Sequence, residues 1–398
     1  MFQHMKRFCH SLIDVAKPVA TALAENRPVV ALETTILTHG MPYPINLQTA
    51  LAVEELVKEQ GSVPATIGVM NGRIKVGLDE QSLAVLASSD TESIKISRRD
   101  FPVAISRGLC GGTTVAGTLV VSKLVGIDVF VTGGIGGVHR DVTESMDISA
   151  DLMELSRSPI MVVSSGIKSI LDISRTLEYL ETLGVCVVTY DDSKDFPAFY
   201  TRKSGHQSVY NVTTPLQAAE LLYNVKKLGL ESGILLGVPI PEQYSLNEQS
   251  IQNAIENALK CSKEKGLSGK TITPFILGEV SKITEGRSLD SNIALIKNNA
   301  VVGSKIAVAL KEKKFLQSSS GSTNSHRKYS TRAVDIPKNF PSKKVVVIGG
   351  SNMDILVRPD EPLQVGLGLH DGNNTLYLHN LFSFININKD KKEYMITN

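Results

Sequence analysis

Lys168 lies just beyond an apolar run, Ile160-Met161-Val162-Val163, and a small-residue break, Ser164-Ser165-Gly166. The run suits a strand covered on both faces. Ile167, Ile170, Leu171 and Leu177 then begin a spacing that predicts a helix over 168–183. An amine in the first turn of that helix, at the carboxyl end of a strand, stands where α/β proteins hold their ligands. The positive field of a helix start disfavours an ammonium and would favour the free amine that imine chemistry requires. The plainer alternative is a solvated lysine that snorkels away from the helix end.

Four further features could carry chemistry. Glu33 ends the apolar run Val29-Val30-Ala31-Leu32, where a carboxylate is costly unless paired or protonated. Partial burial would move it toward the range of a general acid or base; a structural capping carboxylate is the alternative. Lys95, Arg98 and Arg99 crowd three cations into six residues, suited to a phosphate or carboxylate, or else to a solvated turn. Gly111-Gly112-Thr113-Thr114, before a predicted helix over 113–124, offers backbone N–H groups to an anion or is an ordinary threonine cap. Asp141, Glu144, Asp147 and Asp151 form the fourth, an acidic cluster. On a helix Asp147 and Asp151 would share a face, where like charges repel unless a cation such as Mg²⁺ or Mn²⁺ intervenes. An acidic helix start is the alternative there.

The elements that must position these groups follow from periodicity. Short β-branched runs alternate with amphipathic helical stretches from Pro28 to about Leu310, which predicts an α/β fold of layered α-β-α type. Val29–Leu32, 66–70, 74–76, 127–132, 185–189 and 232–236 read as strands. Helices are expected over 47–59, 214–228, 246–265 and 292–310. Asn71-Gly72 between two short strands signals a hairpin. Gly133-Gly134-Ile135-Gly136-Gly137 is not a dinucleotide fingerprint, because His139 stands where the last glycine is needed, and Gly269-Lys270-Thr271 lacks the upstream glycine of a phosphate loop.

Composition bounds the rest. The chain has 398 residues, 42% of them apolar, and a net charge of +2, with no basic tract of the kind that binds nucleic acid. Its 4 cysteines have no metal-ligand spacing and fit a reducing compartment. No uninterrupted apolar run is long enough to suggest a membrane span. The expected location is cytoplasmic; the basic start Met1–Arg7, which lacks acids, leaves a mitochondrial address as the alternative. Residues 1–313 are expected to form the α/β domain, 314–342 a Ser/Thr/Asn/Lys-rich linker, and 343–398 a further short segment.

In order along the chain, Val30–Pro44, Lys95–Pro102, Gly111–Ala116, Thr132–His139, Asp147–Asp151, Gly166–Ile173, Phe196–Gly205, Thr273–Phe275 and Asn292–Ala300 resemble the pseudouridine-5′-phosphate glycosidase (indigoidine synthase A-like) family. The resemblance implies reversible cleavage of the C–C glycosidic bond of pseudouridine 5′-phosphate to uracil and ribose 5-phosphate. It implies Lys168 as the nucleophile that forms an imine with C1′ of the ring-opened sugar, and Glu33 as proton donor and acceptor. It further implies that Lys95 binds the substrate phosphate beside Val115, that Ser149, Ala150 and Asp151 line the substrate site, and that Asp147 holds one Mn²⁺ per subunit. His139 and Asn292 match further substrate-site positions, and the family pattern implies a homotrimer without nucleic-acid or membrane partners.

The chain departs from the family at four places. Gly237-Val238 replaces Ala-Asn before Pro239-Ile240-Pro241, Gly278-Glu279 replaces a lysine-containing stretch, Thr284-Glu285-Gly286 replaces Thr-Gly-Gly, and Ser164-Ser165 replaces Cys-Ala. Val345–Pro362 resembles the opening strand of ribokinase-like (PfkB) sugar kinases. The anion hole and catalytic aspartate of a kinase do not follow it, so this segment is expected to be an incomplete kinase region without activity, not independently folded. A catalytically impaired sugar-phosphate-binding protein, or the remnant of a bifunctional glycosidase–kinase, is the second reading.

Overall fold

The computed structural model describes residues 11–267, 272–320, 384–388 and 393–397. The chain divides into two compact units, residues 1–324 and residues 325–398. In the second, strands Phe384–Asn388 and Glu393–Thr397 pair antiparallel. The kinase-like segment over 345–362, the basic start Met1–Arg7 and Gly269-Lys270-Thr271 lie outside the described residues.

The first unit is built on one mixed sheet. Its strands are β1 (Ile13–Val15), β2 (Val29–Leu32), β3 (Val63–Met70), β4 (Arg73–Val76), β5 (Ser93–Ile96), β6 (Cys110–Thr113), β7 (Val129–Val131), β8 (Met161–Ser164), β9 (Cys186–Tyr190), β10 (Tyr210–Val212) and β11 (Ile234–Gly237). A parallel run follows the order β3-β2-β7-β8-β11-β9-β10. β4 and β6 join β3 antiparallel, and β1 and β5 pair parallel on β4 and β6. Every residue of β2, β7, β8 and β11 is buried, as expected for apolar strands covered on both faces. The Asn71-Gly72 turn closes the β3–β4 hairpin with φ of 48° and 73°, the paired left-handed geometry this dipeptide favours.

Helices flank the sheet and set the heights of its loops. The helix predicted over 292–310 is longer, running from Arg287 to Ser320. It packs against β2, β7 and β8 through Leu295, Ile296, Ala300, Ile306 and Leu310, all buried. Each of these leucines and isoleucines contributes about 1.5–3 kcal/mol of apolar burial. The approach to β7 is so close that a Cβ on Gly303 would fall 2.2 Å from Val131 Cγ2. By composition, Arg287–Phe315 could cross a membrane, with hydropathy 1.4 over its most apolar stretch. That stretch is 61% buried inside the protein, the condition of a core helix.

Two helical expectations are corrected. Lys168 does not open a helix: residues Gly166 to Asp172 form bridges and turns, and the helix begins at Ile173. Ile167 pairs with Ile135, Lys168 N–H donates to the Ile135 carbonyl at 3.1 Å, and Asp172 caps the helix by accepting from Arg175 N–H. The apolar spacing at Ile167 and Ile170 reflects burial of this irregular segment, not helical periodicity. Second, Thr113 ends a strand, and the helix there is Val115–Val125, capped by Thr114.

Candidate active site

The chain leaves β2 for β3 on one side, and leaves β2's other neighbour, β7, for β8 in the opposite direction. The crevice outside the carboxyl ends of strands at such a switch point is where open α/β sheets bind ligands. Glu33 follows β2 directly, Thr132 follows β7 directly, and Lys168 comes four residues after β8. Lys95 enters from β5 and Asn292 from the long helix. All five line one cleft, with Phe199 as an apolar wall.

The cleft is tight. Its free volume is about 40 Å³, room for a few waters, and it adjoins a wider hollow of about 460 Å³ across His39, Gly40, Pro274, Leu277 and Asn292. Helix Ile272–Ile283, which periodicity did not predict, supplies Pro274 and Leu277 to both. Phe199 adopts φ +64°, a strained value for a bulky side chain. Its N–H donates to the Ser165 carbonyl at 2.9 Å, and its ring covers Gly134, where a Cβ would meet Phe199 Cδ2 at 2.5 Å.

Electrostatics distinguish Glu33. Burial pushes its carboxyl above the usual carboxylate range; the Lys168 ammonium and the Thr132 hydroxyl pull it back, Asp151 adds to the rise, and Lys95 opposes it. Thr132 Oγ1 donates its hydrogen bond to Glu33 Oε1. Burial prevails, so Glu33 keeps its proton to higher pH than a solvated glutamate. Asn292 is 7% exposed and its Oδ1 has no hydrogen-bond partner among the described residues, although the side chain borders the cleft. A buried acceptor of that kind is costly unless something binds it.

Other expected site residues take structural partners. Asp151 is buried and accepts from Ala116 N–H and Gly136 N–H, each at 2.9 Å. The Thr114 hydroxyl takes Gly117 N–H at 3.2 Å. The open helix start expected beside Val115 therefore has two of its first donors occupied, and Val115 itself is buried. Arg98 is held in a bidentate pair by the buried carboxylate of Glu154, which removes it from the basic cluster expected for an anion. Ser149 caps helix Ala150–Leu155, so Asp147 lies outside it and does not share a face with Asp151. The antiparallel bridge of Ile148 to Val138 straightens the chain between them.

Asp147 instead meets His139, with Oδ2 3.7 Å from Nε2 and side chains 34% and 15% exposed. Among the described residues no group of three or more His, Cys, Asp or Glu is arranged for a metal ion. The half-exposed Asp147 carboxylate fits a hard divalent cation that keeps most of its waters, as Mg²⁺- or Mn²⁺-type ions do.

Thr132, Phe199 and Asn299 were not singled out from sequence. Asn299 had a readable signal: it lies three and four residues after Ile296 and Leu295, on the buried face of the long helix. An amide in an apolar stripe must have partners, and its partners are at the site.

Comparison with known proteins gives consistent matches. The family described as indigoidine synthase A like protein matches residues 18–309. A pseudouridine-5′-phosphate glycosidase of Caldanaerobacter subterraneus subsp. tengcongensis is 51% identical over 306 residues, spanning 77% of this chain and 98% of that protein. A pseudouridine-metabolizing bifunctional protein of Schizosaccharomyces pombe is 44% identical over 374 residues, 89% of this chain but 50% of its own length. Among solved structures, the prealnumycin C-glycosynthase AlnA in complex with ribulose 5-phosphate superposes with a TM-score of 0.70 at 36% identity, covering 77% of this chain and 99% of that one. An indigoidine synthase A-like protein from Thermotoga maritima gives a TM-score of 0.69 at 34% identity, covering 75% and 97%.

Proposed function

The chain belongs to the indigoidine synthase A-like family, and from that premise we propose that it is a pseudouridine-5′-phosphate glycosidase. The observation that carries the mechanism is the pairing of a buried, proton-retaining Glu33 with Lys168 in one cleft. A carbon leaving group departs poorly by simple oxocarbenium chemistry, so a covalent route is favoured. The Lys168 amine attacks C1′ as the C1′–O4′ bond breaks; O4′ takes the Glu33 proton, which opens the ring, and the new ammonium returns a proton to Glu33, leaving Lys168 as a secondary amine. Its nitrogen lone pair then forms the C=N bond as the C1′–C5 pair is released to uracil C5, which takes a proton from Glu33. Water hydrolyses the imine, freeing ribose 5-phosphate and regenerating the amine, and the steps reverse for synthesis.

The remaining residues bind and orient. Lys95 gives the phosphate a charged anchor, with the Val115 segment beside it, and this remote binding energy holds the open sugar against Lys168. Asn292 offers its Oδ1, unpartnered among the described residues, to the substrate, while Ser149, Ala150 and Asp151 shape the wall opposite. Asp147, with His139 alongside, would hold one Mn²⁺ per subunit, which when bound supplies a local positive charge and ordered water. The AlnA complex with ribulose 5-phosphate supports a sugar-phosphate ligand for this fold. A cytoplasmic homotrimer completes the reading. Cys110, Cys186 and Cys261 are free thiols, in keeping with a reducing compartment; the trimer rests on family resemblance, and mass measurement in solution tests it. Release of uracil from pseudouridine 5′-phosphate with Mn²⁺, set against Lys168→Ala, tests the activity.

A further inference from the structure

Asn299 is fully buried on the long helix, with both ends of its amide engaged at the sheet's carboxyl edge. Its Nδ2 donates to the carbonyl of Thr132 at 2.9 Å and to that of Gly133 at 3.4 Å. Its Oδ1 accepts from the Ser165 hydroxyl at 3.2 Å. One side chain thus fastens the turn after β7 to the turn after β8. The same two turns are laced by Ser165 N–H to the Gly133 carbonyl at 2.9 Å and Ile135 N–H to the Gly166 carbonyl at 3.0 Å. Thr132 is the residue whose hydroxyl donates to Glu33, and Lys168 follows Ser165 by three positions.

We propose that Asn299 is a positioning residue for the glycosidase reaction: by holding the Thr132 carbonyl it fixes the backbone from which the Thr132 hydroxyl is aimed at Glu33, and so keeps the proton donor in register with Lys168. Two features favour this over a purely architectural role. A leucine would fill the same place on an apolar helix face without the cost of burying an amide. The hydrogen bonds also go to the turn carrying Glu33's only described side-chain partner, not to the strand interiors. Ser165 adds a link from the β8 side but makes no hydrogen bond to Glu33 or Thr132 among the described residues, so the path to Glu33 runs through Thr132 and not through Ser165.

The inference rests on the glycosidase reading for its catalytic meaning, but its test needs no substrate. The side-chain carboxyl of Glu33 is titrated by NMR in ¹³C-glutamate-labelled full-length protein, its signal assigned by loss in Glu33→Gln. The Thr132 hydroxyl lowers Glu33's affinity for a proton, so weakening that bond raises the midpoint. Asn299→Leu, and Asn299→Ala should the leucine variant fail to fold, are expected to raise it by about 0.5–1 pH unit. Thr132→Val should raise it similarly, and Asn299→Leu or Asn299→Ala should add less than about 0.2 unit in the Thr132→Val background. Thr132→Ser should keep the wild-type midpoint, as should Ser165→Ala. An unmoved midpoint in both Asn299 variants, full additivity with Thr132→Val, or an equal shift in Ser165→Ala would overturn the proposal. Uracil release, measured separately, decides the activity itself.

Discussion

The Thr132 hydroxyl donates a hydrogen bond to the Glu33 carboxylate across the gap between β7 and β2, the neighbouring strands at which the sheet's connectivity reverses. The switch point thus carries more than a crevice: it holds an acid whose proton affinity is set by two opposing influences. Burial raises it, and the Lys168 ammonium and Thr132 hydroxyl restrain it. The predictions below follow from this site and from the packing that supports it.

Glu33→Gln removes the proton donor with little change of shape. Its kcat for uracil release should fall about 10²–10⁴-fold, the usual worth of general acid catalysis, with the fold retained by circular dichroism. An activity within about threefold of wild type would show that Glu33 does not handle the proton.

The same substitution should stabilise the protein at alkaline pH. Burial holds Glu33's folded affinity for a proton above its unfolded value. The folded state therefore binds more protons between those two values, and stability falls as pH rises through that window. Glutamine has no such dependence. Glu33→Gln is expected to melt above wild type at pH 8 and to approach it near pH 4; equal melting curves at both pH values would contradict the linkage.

Asp128 opens the Asp128-Val129 approach to β7 and anchors Lys226 at 2.6 Å and Lys314 at 2.8 Å, from helix Pro215–Lys227 and the long helix. Burial pushes its carboxyl up, but the two lysines outweigh burial and hold it below the usual carboxylate range. A depressed folded value gives stability that is full above the unfolded value and lost as pH falls through the folded one. Asp128→Asn leaves cations facing a neutral group and should cost about 2–3 kcal/mol at pH 7 by urea unfolding. That deficit should shrink toward pH 2.

Glu285 occupies the left-handed region at φ 54°, the conformation that favours glycine. The Cβ is unfavourable there, and the offset from glycine's greater unfolded-state freedom is smaller. Glu285→Gly should gain about 0.5–1 kcal/mol, readable as a rise in Tm, without altering KM. A loss of stability would show that the glutamate has a compensating partner.

Much of this arrangement was legible in the chain. Val29–Leu32 read as a strand and Ile160–Val163 as one covered on both faces, and that placed Glu33 at a strand end and Lys168 just beyond one. The setting of Lys168 was misread because a buried irregular segment and a helix start share the same apolar spacing over a few residues. The acidic cluster was misread for a related reason. Spacing of four means a shared face only within one helix, and the Ile148 bridge and the Ser149 cap keep Asp147 out of the helix that holds Asp151. Asp151's role as acceptor for two backbone N–H groups depends on Ala116 and Gly136, contacts that local periodicity does not encode. Asn299 reaches its partners across 167 and 134 positions of sequence, so only its polarity on an apolar face could have marked it.

Borohydride trapping tests the central claim most directly. Incubation with ribose 5-phosphate followed by reduction should fix the sugar phosphate as a secondary amine on Lys168, found by peptide mass analysis and lost in Lys168→Ala. Labelling at another lysine, or equal labelling of Lys168→Ala, would contradict the account.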